Sequence, residues 1–231
     1  MKILKDIGTL LKTGYIEGDK LLLKDQIRIF FKLLGLIFLL KLFYLGISLG
    51  LNSIDGIDIP LPSETQDFDS YSGFLKFSIL AIVAPILEEL TFRLGLKFSK
   101  RNFIVMISGI IYVLLKIVLD FSVYIALVSA LAIATFLTFT LSPKIIIFLT
   151  NYWKNHRLII FYLLILSFSI LHIANYDLNS TIVVYIPLIA FSHVLGGVVF
   201  SYARLKYNIL LAIGLHMVHN ALISFPYLFF S

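Results

Sequence analysis

The sequence predicts an all-α integral membrane protein: a polytopic bundle of about seven transmembrane helices preceded by an N-terminal amphipathic helix. Three observations carry this expectation. Apolar residues make up 60% of the 231 and charged ones only 14%, with mean hydropathy +0.99, against about 45–50% and about 25% in a soluble domain. Apolar runs near the length needed to cross a hydrocarbon core of about 30 Å as a helix recur along the chain. The basic residues gather in alternate connecting segments, as they do when one side of a bilayer holds them.

Residues 1–28 open with MKILKDIGTLLKTG, in which Ile3, Leu4, Ile7, Leu10 and Leu11 fall at helical spacing with lysines between them. That pattern predicts a helix lying in the membrane interface. The segment is too charged to hold the continuous apolar stretch of a cleavable signal peptide. Spans are then expected at about 29–51, 71–96, 103–119, 121–142, 158–175, 181–203 and 208–230. Pro143 and the IIIFL after it either extend the fourth span or form a re-entrant piece. No internal repeat divides the chain, so 29–231 reads as a single membrane domain. Cysteine is absent, which excludes disulfides and thiolate chemistry.

Lys2, Lys5, Lys12, Lys20, Lys24 and Arg28 precede the first span; Arg93, Lys97, Lys100 and Arg101 lie between the second and third. Lys144, Lys154 and Arg157 lie between the fourth and fifth, and Arg204 and Lys206 between the sixth and seventh, so these segments hold 15 of the 19 basic residues. The opposite connections carry Asp55, Asp58, Glu64, Asp67, Asp69, Asp120 and Asp177 instead. Positive charge stays cytoplasmic, which predicts a multi-pass protein of the cell membrane with a cytoplasmic N-terminus and an external C-terminus. The net charge of +6 and pI near 9.4 are then attraction to the bilayer's anionic face. No segment is large enough to be a water-exposed nucleic-acid-binding domain, so the expected partner is the lipid bilayer and not nucleic acid.

Against this background Glu88 and Glu89 stand out inside the run SGFLKFSILAIVAPILEELTFRLGL. A carboxylate at a helix centre costs about 2.5–3.5 kcal/mol on insertion scales, and such residues face protein or a wet cavity and mark function by default. Glu89 and Arg93 share a helix face at i,i+4 with the acid first, the favoured order. Glu88 projects about 100° away as a free carboxylate, and burial would raise it toward the range of a general base. A structural ion pair is the bland reading. Pro85, about a turn earlier, removes a backbone donor, and the freed carbonyl needs protein or water.

Two further constellations follow. Phe168 and His172 are four apart in SFSILHIANYD, and His216 and Asn220 are four apart in GLHMVHNAL with His219 bordering them. His216 and Asn220 have the donors to hold an oxyanion or a water; alternatively all three polar residues pack helices together. A rise of about 1.5 Å per residue puts Glu88 about 12–16 Å deep, His216 and Asn220 about 12–18 Å, and His172 about 21 Å. His193, four before Gly197, reads as structural or cavity-lining, and His156 as interfacial.

Glu-Glu-x-x-x-Arg at 88–93, Phe-x-x-x-His at 168–172 and His-x-x-x-Asn at 216–220 resemble, in type and order, the motifs of the CPBP family. These are the CAAX-prenyl-endopeptidase and bacteriocin-processing (Abi) intramembrane proteases, and the resemblance covers about residues 85–225. It implies hydrolysis of a peptide bond in a membrane-associated protein or peptide. Glu88 and His172 would activate the water, His216 and Asn220 would stabilise the oxyanion, Glu89 and Arg93 would form a supporting pair, and Phe168 would shape the wall. A divalent metal such as zinc is left open: two histidines and a glutamate are zinc ligands in type, but HExxH spacing is absent. From Glu88 to His172 is 84 positions, about one helical hairpin more than is usual in the family. Either a helix pair is inserted or 168–172 is a look-alike; HIANY fits the motif better than Tyr112 with Lys116 at the nearer position. The rival readings are a catalytically silent immunity or binding protein and a small proton-coupled transporter, the latter without the internal symmetry usual for one.

Overall fold

Short polar residues punctuate the apolar runs and set where the helices begin. Ser72, Ser99, Ser122, Ser142 and Asn208 each accept a hydrogen bond from the backbone N–H three residues on, meeting one of the donors that every helix start leaves free. The computed structural model describes residues 2–20, 22–60, 70–176 and 182–230. It is all-helical, with no strand among the described residues. Glu64, Asp67, Asp69 and Asp177 lie outside the described residues.

Helix α1 is Lys2–Thr13 and α2 is Leu23–Asn52. Helix α3 covers 73–92 as Gly73–Ser78, a wide π turn Ile79–Val83, and Ala84–Phe92. Then come α4 (Lys100–Val118), α5 (Val123–Thr140), α6 (Pro143–Asn155), α7 (Arg157–Asn175), α8 (Ile182–Lys206), α9 (Ile209–Ser224) and the single turn α10 (Tyr227–Phe230). Five of these, α2, α4, α5, α7 and α8, are long and apolar enough to cross a membrane. The other two expected spans differ for physical reasons. Helix α3 carries Lys76, Glu88 and Glu89, and α9 has 16 residues, about 24 Å of rise. The stretch after Pro143 does not extend α5 but forms a separate helix. Ser142 caps a fresh helix with Pro143 in its first turn, where the missing N–H is harmless.

Two apolar clusters hold the bundle. One joins α1, α2, α7, α8 and α9 through Leu10, Leu33, Ile37, Phe161, Phe200 and Leu215. The other joins α3, α4 and α7 through Phe92, Met106, Val113, Ile160, Leu164 and Phe168. One side of the apolar stripe of α1 is covered by protein: Leu10 is fully buried while Leu4 and Leu11 stay exposed, Tyr162 donates to Leu11 O at 2.8 Å, and Tyr202 to Asp6 at 3.3 Å. Gly14 ends the helix with φ of +65° against the backbone of Arg157, leaving no room for a Cβ. Helix α5 packs on α4 and α6 on α7, outside the pairs α3–α7, α3–α9 and α8–α9 that frame the site. The long stretch between Glu88 and His172 therefore loops to the periphery and returns.

Candidate active site

The π turn in α3 runs up to Pro85, and the two together decide what Asn220 does. Ala84 N–H reaches back five residues to Ile79 O, so it does not serve Leu80 O. In the same wide register Leu80 O would need the N–H of residue 85, and proline has none. Leu80 O is thus without a backbone donor from either register, in surroundings where an unmet carbonyl is expensive. Asn220 of α9 supplies the missing bond, Nδ2 donating to Leu80 O at 3.1 Å. Its Oδ1 accepts from His219 Nδ1 at 3.1 Å. The amide expected at an oxyanion is first of all a clamp between α9 and α3.

One turn further along α3 the adjacent carboxylates part company. Glu89 and Arg93 are both 0% exposed, with Arg93 Nη1 3.6 Å from Glu89 Oε1. The guanidinium makes no hydrogen bond through Nε, Nη1 or Nη2. It lies 3.7 Å above the Phe168 ring and 5.8 Å from that of Phe200, where the negative faces of the rings attract it. Gly197 makes space for it, since a Cβ there would stand 3.1 Å from Arg93 Nη2. Glu88 is 22% exposed at its side chain and faces a cleft of ≈ 120 Å³ lined also by Ala84, Leu87, Phe168, His172 and Asn175.

The histidines converge on that carboxylate. His172, at the tight turn that ends α7, has Nε2 3.9 Å from Glu88 Oε1. Its Nδ1 is 2.8 Å from Phe168 O; a carbonyl only accepts, so Nδ1 holds the proton and Nε2 presents its lone pair to the cleft. His216 bridges both acids, Nδ1 at 2.9 Å from Glu89 Oε1 and Nε2 at 3.5 Å from Glu88 Oε2. Phe200 stacks on it with centroids 4.3 Å apart at 19°. The structure thus brings Glu88, Glu89, Arg93, Phe168, His172 and His216 together. Asn220 adjoins them through α3 and His219.

Other neighbours carried weaker signals in the sequence. His193 of α8 stacks on His172, centroids 3.9 Å apart at 25°; a histidine four before a glycine is the only hint in the sequence, and it favours the structural reading over the cavity-lining one. Phe200 gave no signal beyond being apolar. Lys116 forms an ion pair with Asp120 at 2.9 Å at the far end of α4, away from the carboxylates. His156 stacks on Tyr152 at 4.1 Å. Among the described residues no three His, Asp or Glu side chains are grouped to hold a metal ion; Glu88, His172 and His216 offer zinc ligands in type.

No family model matches the chain, and no curated protein or solved structure matches it. What the arrangement can do is read from its own geometry. A carboxylate at a cleft, two imidazoles beside it and a buried cation behind them can take a proton from water and place partial positive charge near developing negative charge.

Proposed function

We propose that this chain is an intramembrane endopeptidase of the CPBP (CAAX prenyl endopeptidase, Abi) type, hydrolysing a peptide bond of a membrane-associated protein or peptide. One observation carries the reading: Glu88, the less buried of two adjacent acids, lies between His172 Nε2 and His216 Nε2 at 3.9 and 3.5 Å and opens on a cleft. A water between Glu88 and His172 gives a proton to Glu88 as its oxygen bonds to the substrate carbonyl carbon. Collapse of the tetrahedral species breaks the C–N bond, and Glu88 returns the proton to the leaving nitrogen. His216 and the second N–H of Asn220, the one not spent on Leu80 O, are the groups assigned to the oxyanion. Glu89 and Arg93 hold His216 and the Phe168 wall in place. His216 Nδ1, fixed on Glu89, follows the pattern in which a second acid orients a working imidazole.

The wider placement belongs to the same proposal. Helices α2, α3, α4, α5, α7, α8 and α9 form seven spans in the cell membrane, with α1 at the cytoplasmic interface and the C-terminus outside. Supporting this, the basic connections meet at one end of the bundle: Asp19 N donates to Lys206 O at 2.6 Å, Gly18 lies beside Lys97, and Arg157 covers the Tyr15 ring at 4.0 Å. Separate Glu88→Gln and His172→Ala variants test the function. Both are expected to abolish cleavage of the substrate at unchanged abundance. An immunity or binding phenotype that survives both would replace this reading with that of a catalytically silent member.

A further inference from the structure

A second cavity, remote from the carboxylates, lies at the basic end of the bundle. It has a volume of ≈ 230 Å³ and is lined by Lys97, Lys154 and Arg157 together with Tyr15, Phe98 and Trp153. No Asp or Glu lines it. The contrast with Lys206 close by is sharp: that ammonium is neutralised by Asp19 at 3.0 Å and Asp6 at 3.9 Å. Among the described residues, none of the three lining cations has an ion-pair partner. A fourth cation stands behind them, Arg204, whose Nη2 donates to Leu94 O at 3.2 Å. Partial burial and then the charge of Arg204 lower the Lys97 pKa.

The walls are built, not incidental. Gly14 seats the end of α1 against Arg157, and the Tyr15 ring lies 4.0 Å under the Arg157 guanidinium. Trp153 is fixed by its Nε1 donating to Gly95 O at 2.8 Å and by Phe98 and Phe103 rings at 5.2 and 5.5 Å. The outer face of α6 beside it, including Ile147, Phe148 and Tyr152, is exposed and apolar. Tryptophan and tyrosine at the ends of spans mark headgroup level. A cationic hollow at that level beside an apolar helix face has the chemistry of a phosphate bearing acyl chains.

We infer that this cavity binds the phosphate of an anionic phospholipid headgroup, gripped by Lys97, Lys154 and Arg157, with the acyl chains along α6. The inference rests on the membrane placement but not on hydrolysis, since no group of the carboxylate site takes part.

Trp153 is the only tryptophan in the chain, so its fluorescence reports on this cavity alone. The full chain would be reconstituted in phosphatidylcholine vesicles containing increasing phosphatidylglycerol, one or the other lipid brominated. Brominated phosphatidylglycerol is expected to quench Trp153 at a mole fraction several-fold lower than brominated phosphatidylcholine. Lys154→Gln, at an exposed position, is expected to weaken that preference about fivefold, and Lys97→Gln similarly. Inorganic phosphate at 10 mM is expected to leave the quenching unchanged; if it abolishes the preference, the cavity is a soluble-phosphate site and the lipid assignment falls. Equal quenching by the two lipids, or an undiminished preference in the Lys97→Gln/Lys154→Gln double variant, also overturns it. Failure here leaves the protease reading intact, because loss of cleavage in Glu88→Gln is measured independently.

Discussion

If Pro85 is the reason Leu80 O needs a partner, removing Pro85 should make Asn220 dispensable. Asn220→Ala breaks two hydrogen bonds at once, to Leu80 O and from His219. Side-chain bonds between membrane helices average about 0.6 kcal/mol and reach about 1.7. The Leu80 bond belongs at the upper end, because the carbonyl has no other donor, so the total loss should be about 1.5–2 kcal/mol. With Pro85→Ala, residue 85 regains an N–H. It can then bond Leu80 O across five residues, or let the turn relax so that Ala84 N–H does so across four. In that background Asn220→Ala should cost only about 0.6 kcal/mol, what the His219 bond contributes. The coupling of about 1 kcal/mol is measurable as a double-mutant cycle from reversible unfolding in mixed detergent–lipid micelles. Equal costs in the two backgrounds would refute the argument and return Asn220 to a role unconnected with the proline.

Other consequences can be checked alongside. Glu89→Gln strips the buried Arg93 of its ion-pair partner and should destabilise the fold by about 3–5 kcal/mol, whereas Glu88→Gln, at the cleft, should cost under about 1 kcal/mol; thermal unfolding separates them. Gly197→Ala presses on Arg93 Nη2, which is held over the Phe168 ring, and should lower stability by about 1–3 kcal/mol as an overpacked site. Gly14→Ala meets both a positive φ and the Arg157 backbone, so amide hydrogen exchange across Lys2–Thr13 should accelerate while α7 stays protected. Because the chain has no cysteine, single replacements report topology without background. Cysteine at Ser53 or Asp120 should react with an impermeant maleimide on intact cells, and cysteine at Lys5 or Asn155 only after lysis.

How much of this was legible beforehand depended on whether the physics was local. Helix positions followed from the apolar runs, and the Glu89–Arg93 pair from a four-residue interval; the serine and asparagine caps that start the helices were not read from the sequence. The division between a sequestered Glu89 and a cleft-facing Glu88 follows from the same helical angle. The π turn was not legible, since Pro85 alone does not say which register the backbone will adopt or which helix will bring an amide to Leu80. Depth counted along separate spans set His172 about 5 Å or more beyond Glu88, yet the two side chains lie 3.9 Å apart. The count carries no information on how one span is shifted against another. His193 on His172 and Phe200 on His216 are products of how α8 packs, which no periodicity within α8 encodes. The amphipathic face of α1 was visible, but that α7 and α8 cover part of it, with Leu10 buried, depends on Gly14 and the Arg157 backbone meeting in space.

The central claim is that Glu88 drives hydrolysis of a membrane-associated polypeptide. The most direct measurement compares the protein termini present in cells expressing the native chain with those in cells expressing Glu88→Gln at equal abundance in the membrane. The account predicts at least one new N-terminus and its matching C-terminus, from within or beside a membrane-spanning segment, that appear with Glu88 and vanish with Gln. Identical termini in the two cell populations, with both proteins folded and equally abundant, would contradict it.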